Sequence, residues 1–194
     1  VDGLPNGLVA SGAILHYLGE TQHRNLQHIT SIERLLEADF VWMDKFTIRN
    51  LELYHSNNSN AVTLIQVIDK TLSPMGGRLL KRWLALPLKS VAAIKARHDV
   101  VQYFYDNETA LMEIQSSLKG VGDLERLISK VATAKVSPRE VVQLKNSLEQ
   151  ILPIKALALD CDHLHLNSLG KQIQDCEALR LKIKATLNED APVN

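Results

Sequence analysis

The sequence contains few cysteines, and their arrangement excludes several classes of protein. Among 194 residues only Cys161 and Cys176 are cysteine, and no CxxC spacing occurs. Small secreted domains held together by disulfides contain more cysteines, and zinc sites built on cysteine pairs use that spacing. The two thiols therefore predict a reduced, intracellular protein, and we expect it to lie in the cytoplasm.

Long apolar runs and an excess of one charge are also missing. No run reaches the ~20 apolar residues that a membrane span requires, and the N-terminus has no signal-peptide pattern. The 22 basic side chains are balanced by 22 acidic ones, whereas free-standing nucleic-acid binders usually carry a basic excess. We therefore expect no membrane contact, and no global charge that favours nucleic acid.

Glycine and proline are scarce, with 9 and 6 residues, and they fall mostly between periodic segments. This composition favours helices, and the helix start signals are legible. They are Ser73-Pro74, Ser90, Asp123 and the capping box Ser137-Pro138-Arg139-Glu140. The sequence therefore predicts a mainly α fold, a multi-helix bundle with long amphipathic helices and at most one or two short strands.

The first quarter of the chain predicts a helix, a crossing segment and a strand. Apolar residues over 8–18 indicate a helix that stops at Gly19, and the polar stretch 19–32 resembles a crossing between two units. The apolar run Phe40-Val41-Trp42-Met43 has the length of a buried strand. Asp44 is placed to cap the helix that follows it.

The last part of the sequence predicts two long helices. The capping box opens one helix, with apolar side chains from Val141 to Leu152 on one side. The second is indicated by apolar residues at steps of three and four, namely Leu169, Ile173, Cys176, Leu179, Ile183 and Leu187. Each helix would hold about 18–22 residues, or ~30 Å at the usual rise.

Motifs for chemistry are weak, and we predict no catalytic, cofactor-binding or metal-binding residue. The sequence has no GxxxxGK[ST] or GxGxxG motif, and the Gly76-Gly77 pair is better explained by close helix packing than by an anion site. The segment 160–165 holds thiol, imidazole and carboxylate groups, but a structural zinc site normally needs a second ligand pair. A solvated loop is the favoured interpretation, and no nucleophile–base signature was found.

The segment from Lys70 to Arg97 contains seven basic residues and no acidic one. One interpretation is a face that contacts phosphate. The aromatic content of the whole sequence is only 5%, which offers no platform for stacking bases. Later carboxylates, among them Asp123 and Glu125, could neutralise the segment internally. A structural or inter-domain role is therefore favoured.

Several ordered motifs resemble the MutS family of DNA mismatch-repair ATPases. The string Asp44-Lys45-Phe46-Thr47-Ile48-Arg49-Asn50-Leu51-Glu52 is similar to the family signature D-x-x-T-x-R-N-L-E. The block 72–88, LSPMGGRLLKRWLALPL, is similar to T-x-M-G-x-R-x-L-x-x-W-L-x-x-P-L, with Ser73 where the family often has Thr. Arg97-His98-Asp99-Val100-Val101, Gly122-Asp123-Leu124-Glu125-Arg126-Leu127 and Ser137-Pro138-Arg139 follow in the family's order.

The resemblance implies domain boundaries. Residues 1–32 would be the end of the connector domain with its linker, and residues 33–194 the first part of the lever (core) domain, ending before the clamp. The mismatch-reading element and the Walker motifs of the family lie outside this region. The resemblance therefore implies a fragment that is not itself an enzyme, cut from a DNA-dependent ATPase that uses ATP and Mg²⁺ elsewhere.

The resemblance also implies a role and partners. The lever would couple DNA clasping to ATP binding and hydrolysis, with other domains, mismatched DNA and a MutL-type protein as partners of a homodimeric whole. We expect a structural hub formed by Trp42, Arg49, Asn50, Glu52, Met75, Arg78, Trp83, Asp123, Glu125 and Arg126. Replacing Trp83 by Ala would cost about 3–5 kcal/mol if its ring is buried.

A different class of function remains open on the residues alone. The same helices could form a self-contained adaptor that binds partner helices, and a third reading, an enzyme, has the least support. A lever must be followed by a clamp, a completing helix and a Walker A loop, whereas an adaptor need not be. The flanking coding sequence therefore distinguishes the two.

Overall fold

A computed structural model describes residues 4–21, 29, 31, 37–58, 60–190 and 192. In these residues a 3-10 turn at Glu37–Asp39 precedes most of the helices, and the mainly α fold predicted from the sequence is confirmed. The helices are α1 (Pro5–Glu20), α2 (Lys45–Asn50), α3 (Leu64–Ile68), α4 (Pro74–Ala85), α5 (Val91–Asp106), α6 (Glu108–Gly120), α7 (Leu124–Ala132), α8 (Pro138–Asp160), α9 (Leu164–Gln172) and α10 (Glu177–Thr186).

The helix starts predicted from capping residues are confirmed. Thr47 donates its backbone N–H to Asp44 Oδ1 at 2.6 Å, and Gly76 donates to Ser73 Oγ at 3.1 Å. The same type of bond begins α5, α7 and α8. Each cap satisfies a backbone donor that has no partner within its helix. These local bonds fix where the helices begin.

The predicted buried strand at 40–43 is wrong. Phe40 forms an isolated antiparallel bridge with Leu88, and Val41 donates its N–H to the Pro87 carbonyl at 2.7 Å. The side chain of Trp42 is 64% exposed. A strand needs a partner strand for its backbone groups, and here only the short extended segment 87–89 is available.

No helix in the described part is both long and apolar enough to cross a membrane.

The second long helix predicted near the C-terminus is also wrong, because the segment divides into α9 and α10. The linker 173–176 separates them, and Cys176 has a left-handed backbone at φ 47°. Of the residues expected on one apolar face, Ile183 is buried whereas Leu169 and Leu179 are exposed. The first of the two predicted long helices is confirmed as the 23-residue α8.

At the N-terminus α1 extends past Gly19 to Glu20 and has no buried residue. The predicted crossing segment 19–32, with the predicted domain boundary that follows it, lies mostly outside the described residues.

Helix α8 is the central element of the bundle, since α6, α7, α9 and α10 all pack against it. Two close approaches use glycine. A Cβ on Gly170 of α9 would lie 3.0 Å from the Ala158 Cβ, and one on Gly120 would lie 2.8 Å from the Gln150 side chain. The buried apolar residues of this bundle are Val121, Leu127, Val142, Leu144, Ala158, Leu166 and Ile183.

The turn between α6 and α7 is joined to α8 by a hydrogen bond. Gly122 donates its N–H to the buried Ser147 Oγ at 3.0 Å. A Cβ on Gly122 would lie 2.9 Å from the same oxygen, so any larger residue would have to displace the Ser147 hydroxyl. The turn therefore sits at a fixed distance from α8.

The segment that follows α10 lies along α8 towards its N-terminal end. We call this segment, which includes Glu189 and Pro192, the strap. Lys145, only 4% exposed, forms an ion pair with Glu189 and lies 4.0 Å from the Glu149 carboxylate. Arg139 donates its N–H to the Pro192 carbonyl at 3.3 Å. The first bond compensates a buried ammonium group, and the second satisfies a donor at the start of α8.

Two helices end in Schellman motifs with a non-glycine residue in the left-handed position. After α7, Lys135 donates its N–H to the Lys130 carbonyl at 2.9 Å, and Ala134 donates to the Val131 carbonyl at 3.0 Å. Ala134 has φ 54° and Glu52 holds the same position after α2 with φ 49°. Such a backbone costs a residue with a Cβ more than it costs glycine.

Replacing Ala134 by Gly should therefore stabilise the chain by about 0.5–1 kcal/mol, since glycine adopts positive φ without that cost. Urea unfolding followed by circular dichroism measures the change. The matched control is Ala156→Gly at an exposed site within α8, which should destabilise by about 1 kcal/mol. Destabilisation by both substitutions would contradict the assignment of left-handed strain to Ala134.

Candidate functional site

The predicted hub residues that the structure brings together are centred on Arg78 of α4. Its Nη1 donates to Asp123 Oδ2 at 2.8 Å and its Nη2 to Asp123 Oδ1 at 2.6 Å. Its Nε and Nη2 donate to Glu125 Oε2 at 2.9 and 2.5 Å. We call these three side chains the Arg78 cluster. The planar guanidinium thus binds two carboxylates of the α7 corner with a fixed orientation.

Asp123 has two functions in this cluster. Its Oδ1 also accepts the backbone N–H of Arg126 at 3.2 Å, which caps α7. The positive end of a helix favours carboxylates there, and both Asp123 and Glu125 lie at that end. Hydrogen bonds from Arg78 lower the pKa of Asp123 from 3.8 to about 2. The same bonds raise the pKa of Arg78.

Trp83 lies on the same helix and contacts a second arginine. The guanidinium carbon of Arg97 lies 3.6 Å from the centroid of the Trp83 ring, in cation–π geometry. The ring remains 41% exposed, so the condition of burial behind the expected loss of 3–5 kcal/mol does not hold. A stacked pair at this exposure contributes about 0.5–2 kcal/mol. The sequence analysis did not predict Arg97 as the partner of Trp83.

The remaining predicted hub residues lie away from the cluster or contribute only backbone. Met75 is half-buried in the first turn of α4, and the Arg126 side chain is exposed. The Glu52 carboxylate accepts from Ser56 Oγ at 2.6 Å, and its carbonyl accepts the Leu64 N–H at 3.2 Å. Arg49 and Asn50 are exposed, as is Trp42. The structure therefore joins α4 to α7 and leaves the α2 residues apart.

The basic segment 70–97 is neutralised in part by the carboxylates that the sequence suggested. Arg78 takes both Asp123 and Glu125, and Arg97 lies against Trp83. Lys81 and Arg82 are exposed on α4. Arg78 and Arg97 therefore help to hold α4 against the neighbouring helices.

A polar groove of about 510 Å³ lies beside the cluster, between α7 and α8. Asp123, Arg126, Lys130, Glu140 and Ser147 are among its lining residues. Lys130 and Glu140 form an ion pair across it, and that bond lowers the pKa of Glu140. The groove pairs opposite charges, which suits a structural contact between helices.

The segment 160–165 forms the turn between α8 and α9. The imidazole Nδ1 of His163 accepts the Leu166 N–H at 3.3 Å, so this residue caps α9. Its ring also lies 5.6 Å from that of Tyr103 on α5. In the described part of the chain no group of three or more His, Cys, Asp or Glu side chains could hold a metal ion. Capping by histidine is uncommon, and the sequence analysis missed it.

Replacing Arg78 by Ala should lower the melting temperature by about 2–4 °C, because two carboxylates at one helix end lose their shared cation. Arg82→Ala is the control, since Arg82 is exposed one turn further along α4 and its loss should change the midpoint by less than about 1 °C. Calorimetry measures the melting temperatures of both variants. Equal effects at the two positions would rule out a special role for Arg78.

Asp123 should also give the chain a pH-dependent stability. Its folded pKa of about 2 lies below the ordinary 3.8, so its contribution is complete above pH ~4 and is lost as the pH falls towards 2. Urea unfolding between pH 2 and 6 measures this loss, which Arg78→Ala should reduce. If the variant has the same acid profile as the parent, the low pKa does not arise from Arg78.

Comparison with known proteins gives the family. The model of a family described as MutS domain III matches residues 46–194. Proteins described as DNA mismatch repair protein MutS are 59% identical in Flavobacterium psychrophilum, 61% in Flavobacterium johnsoniae and 49% in Bacteroides thetaiotaomicron, each over 193 residues. Each alignment covers 100% of this chain and 22% of the relative. The chain thus spans about one fifth of the length of these relatives, and it belongs to the MutS family of DNA mismatch-repair proteins.

Proposed function

We propose that this chain is the coupling part of a mismatch-recognition ATPase. In this proposal residues 1–32 end the connector domain, and residues 33–194 form the first part of the lever. The chain has no active site of its own. Its packed helices move as units. In this way they pass changes in the DNA clasp to the nucleotide site, and changes at the nucleotide site to the DNA clasp.

The proposal rests on the Arg78 cluster, together with the membership of the chain in this family. It joins α4 to the corner that begins α7, through residues 45 and 47 positions apart in sequence. Salt bridges with two carboxylates fix both the distance and the angle of the guanidinium. A connection of this kind holds two elements in register, as a coupling part requires.

The helix α8 supports the same role. With 23 residues it extends ~35 Å at 1.5 Å per residue. Helices α6, α7, α9 and α10 pack against it, and packed helices shift as units between discrete arrangements. A displacement of α8 therefore moves the helices packed against the displaced part, without any chemistry on the way.

The remaining assignments concern the whole protein. ATP and Mg²⁺ would bind to parts outside this chain, as would mismatched DNA and a MutL-type partner. The whole protein would act as a homodimer in the cytoplasm. Within the chain we assign no cofactor, and we assign the other domains as the partners of its surface.

Full-length protein with Arg78→Ala tests the coupling role. The basal rate of ATP hydrolysis should stay unchanged, whereas its response to mismatched DNA should fall about five- to tenfold, a typical coupling energy. Arg78→Lys should restore the response only in part, because an ammonium group cannot bind both carboxylates as the planar fork does.

The control is again Arg82→Ala, which should respond to mismatched DNA as the parent does. Steady-state ATPase assays with matched and mismatched duplexes supply the measurement. A full response from the Arg78→Ala protein would show that the cluster serves folding alone, and the proposal for this site would fail.

A further inference from the structure

Helix α8 lacks a backbone hydrogen bond near two thirds of its length. Pro153 lies inside the helix and has no N–H to donate to the carbonyl four residues earlier. Pro138, by contrast, is the first residue of the same helix, where no bond is lost. The interior proline therefore marks a level at which α8 bends more easily than elsewhere.

The helical segment that packs beside α8 is interrupted at the same level. The linker 173–176 separates α9 from α10, and its Asp175 accepts an ion-pair bond from Lys155 Nζ at 2.6 Å. Lys155 lies two residues after Pro153, about 3 Å further along the helix axis, so the proline and the linker lie at the same level of α8. Arg180 Nε donates to the Asp175 carbonyl at 2.9 Å, which braces the linker from the side of α10.

Open surface space lies at this level, on the side facing α6. A half-open depression of about 280 Å³ is lined by Ile114, Ser117, Pro153 and Leu157. A larger open groove of about 700 Å³ also includes Pro153 and Leu157 in its lining. Pro153 is therefore exposed beside solvent-accessible space, where a small bend of α8 displaces few neighbouring atoms.

On either side of this level the helices are held firmly. Towards the C-terminal end of α8, Gly170 approaches Ala158, and Asn167 Nδ2 donates to the Leu159 carbonyl at 2.9 Å. Towards its N-terminal end, Ser147 holds the α6–α7 turn and Lys145 holds the strap. The weak level therefore lies between two tightly packed halves.

We propose that Pro153 and the linker 173–176 form a flexural joint that divides the bundle into two rigid halves. The half that contains α9 and the end of α8 moves relative to the half that contains α7, α10 and the start of α8. Lys155 and Asp175 tether the joint and limit its range. The joint is a property of the bundle and does not depend on the coupling role.

Amide hydrogen exchange of the full-length protein, measured by mass spectrometry, tests the joint. Peptides over 154–157 should exchange at least about tenfold faster than peptides over 142–147, because bending opens the hydrogen bonds beside the joint. Pro153→Ala restores the missing donor and should slow exchange over 154–157 by about tenfold. Lys155→Ala releases the tether and should speed exchange over the same segment.

Pro138→Ala is the matched control, and it should leave exchange over 154–157 as in the parent. Equal protection along the whole of α8 in the parent would overturn the joint, as would unchanged exchange over 154–157 in the Pro153→Ala protein. These readouts are separate from the ATPase response. The coupling proposal can therefore fail while the joint stands, or the reverse.

Discussion

Every helix of the bundle from α6 onwards depends on close contact with α8. That helix buries residues on more than one side, including Val142, Leu144 and Lys145. Such a helix cannot be read as a single apolar stripe, because neighbours on several sides each require a surface to pack against. Small residues at the contacts, above all Gly170 against Ala158, allow the approach. The distances between the helices of the bundle therefore follow from their common contact with α8.

Local features of the fold could be predicted from the sequence, and those that depend on distant partners could not. Caps such as Ser73 and Ser137 act within four residues, so their patterns identify them. The spacing of apolar residues continues through the linker 173–176, and nothing in that spacing indicates a break. Its brace from Lys155 comes from 20 residues earlier. The strand at 40–43 failed similarly, because a strand needs a partner that periodicity does not reveal.

The candidate site shows the same division. The family motifs drew attention to Arg78, Asp123 and Glu125, and the basic segment suggested neutralisation by those carboxylates. Two further contacts, Arg97 on Trp83 and Lys145 with Glu189, have no local pattern that identifies them. Motif matching also grouped Trp42 and Arg49 with the cluster, although they lie on a separate, exposed part of the chain. Membership of a motif does not imply contact.

The glycine turn between α6 and α7 also determines the geometry of the salt bridges beside it. Asp123 follows directly after Gly122, whose N–H donates to Ser147 Oγ and whose added Cβ would lie 2.9 Å from that oxygen. A methyl group there would push the Ser147 hydroxyl away and loosen the corner, and hydrogen bonds of 2.5–2.9 Å weaken once they lengthen by more than a few tenths of an ångström. The tolerance of the electrostatic contact is thus set by a residue that carries no charge.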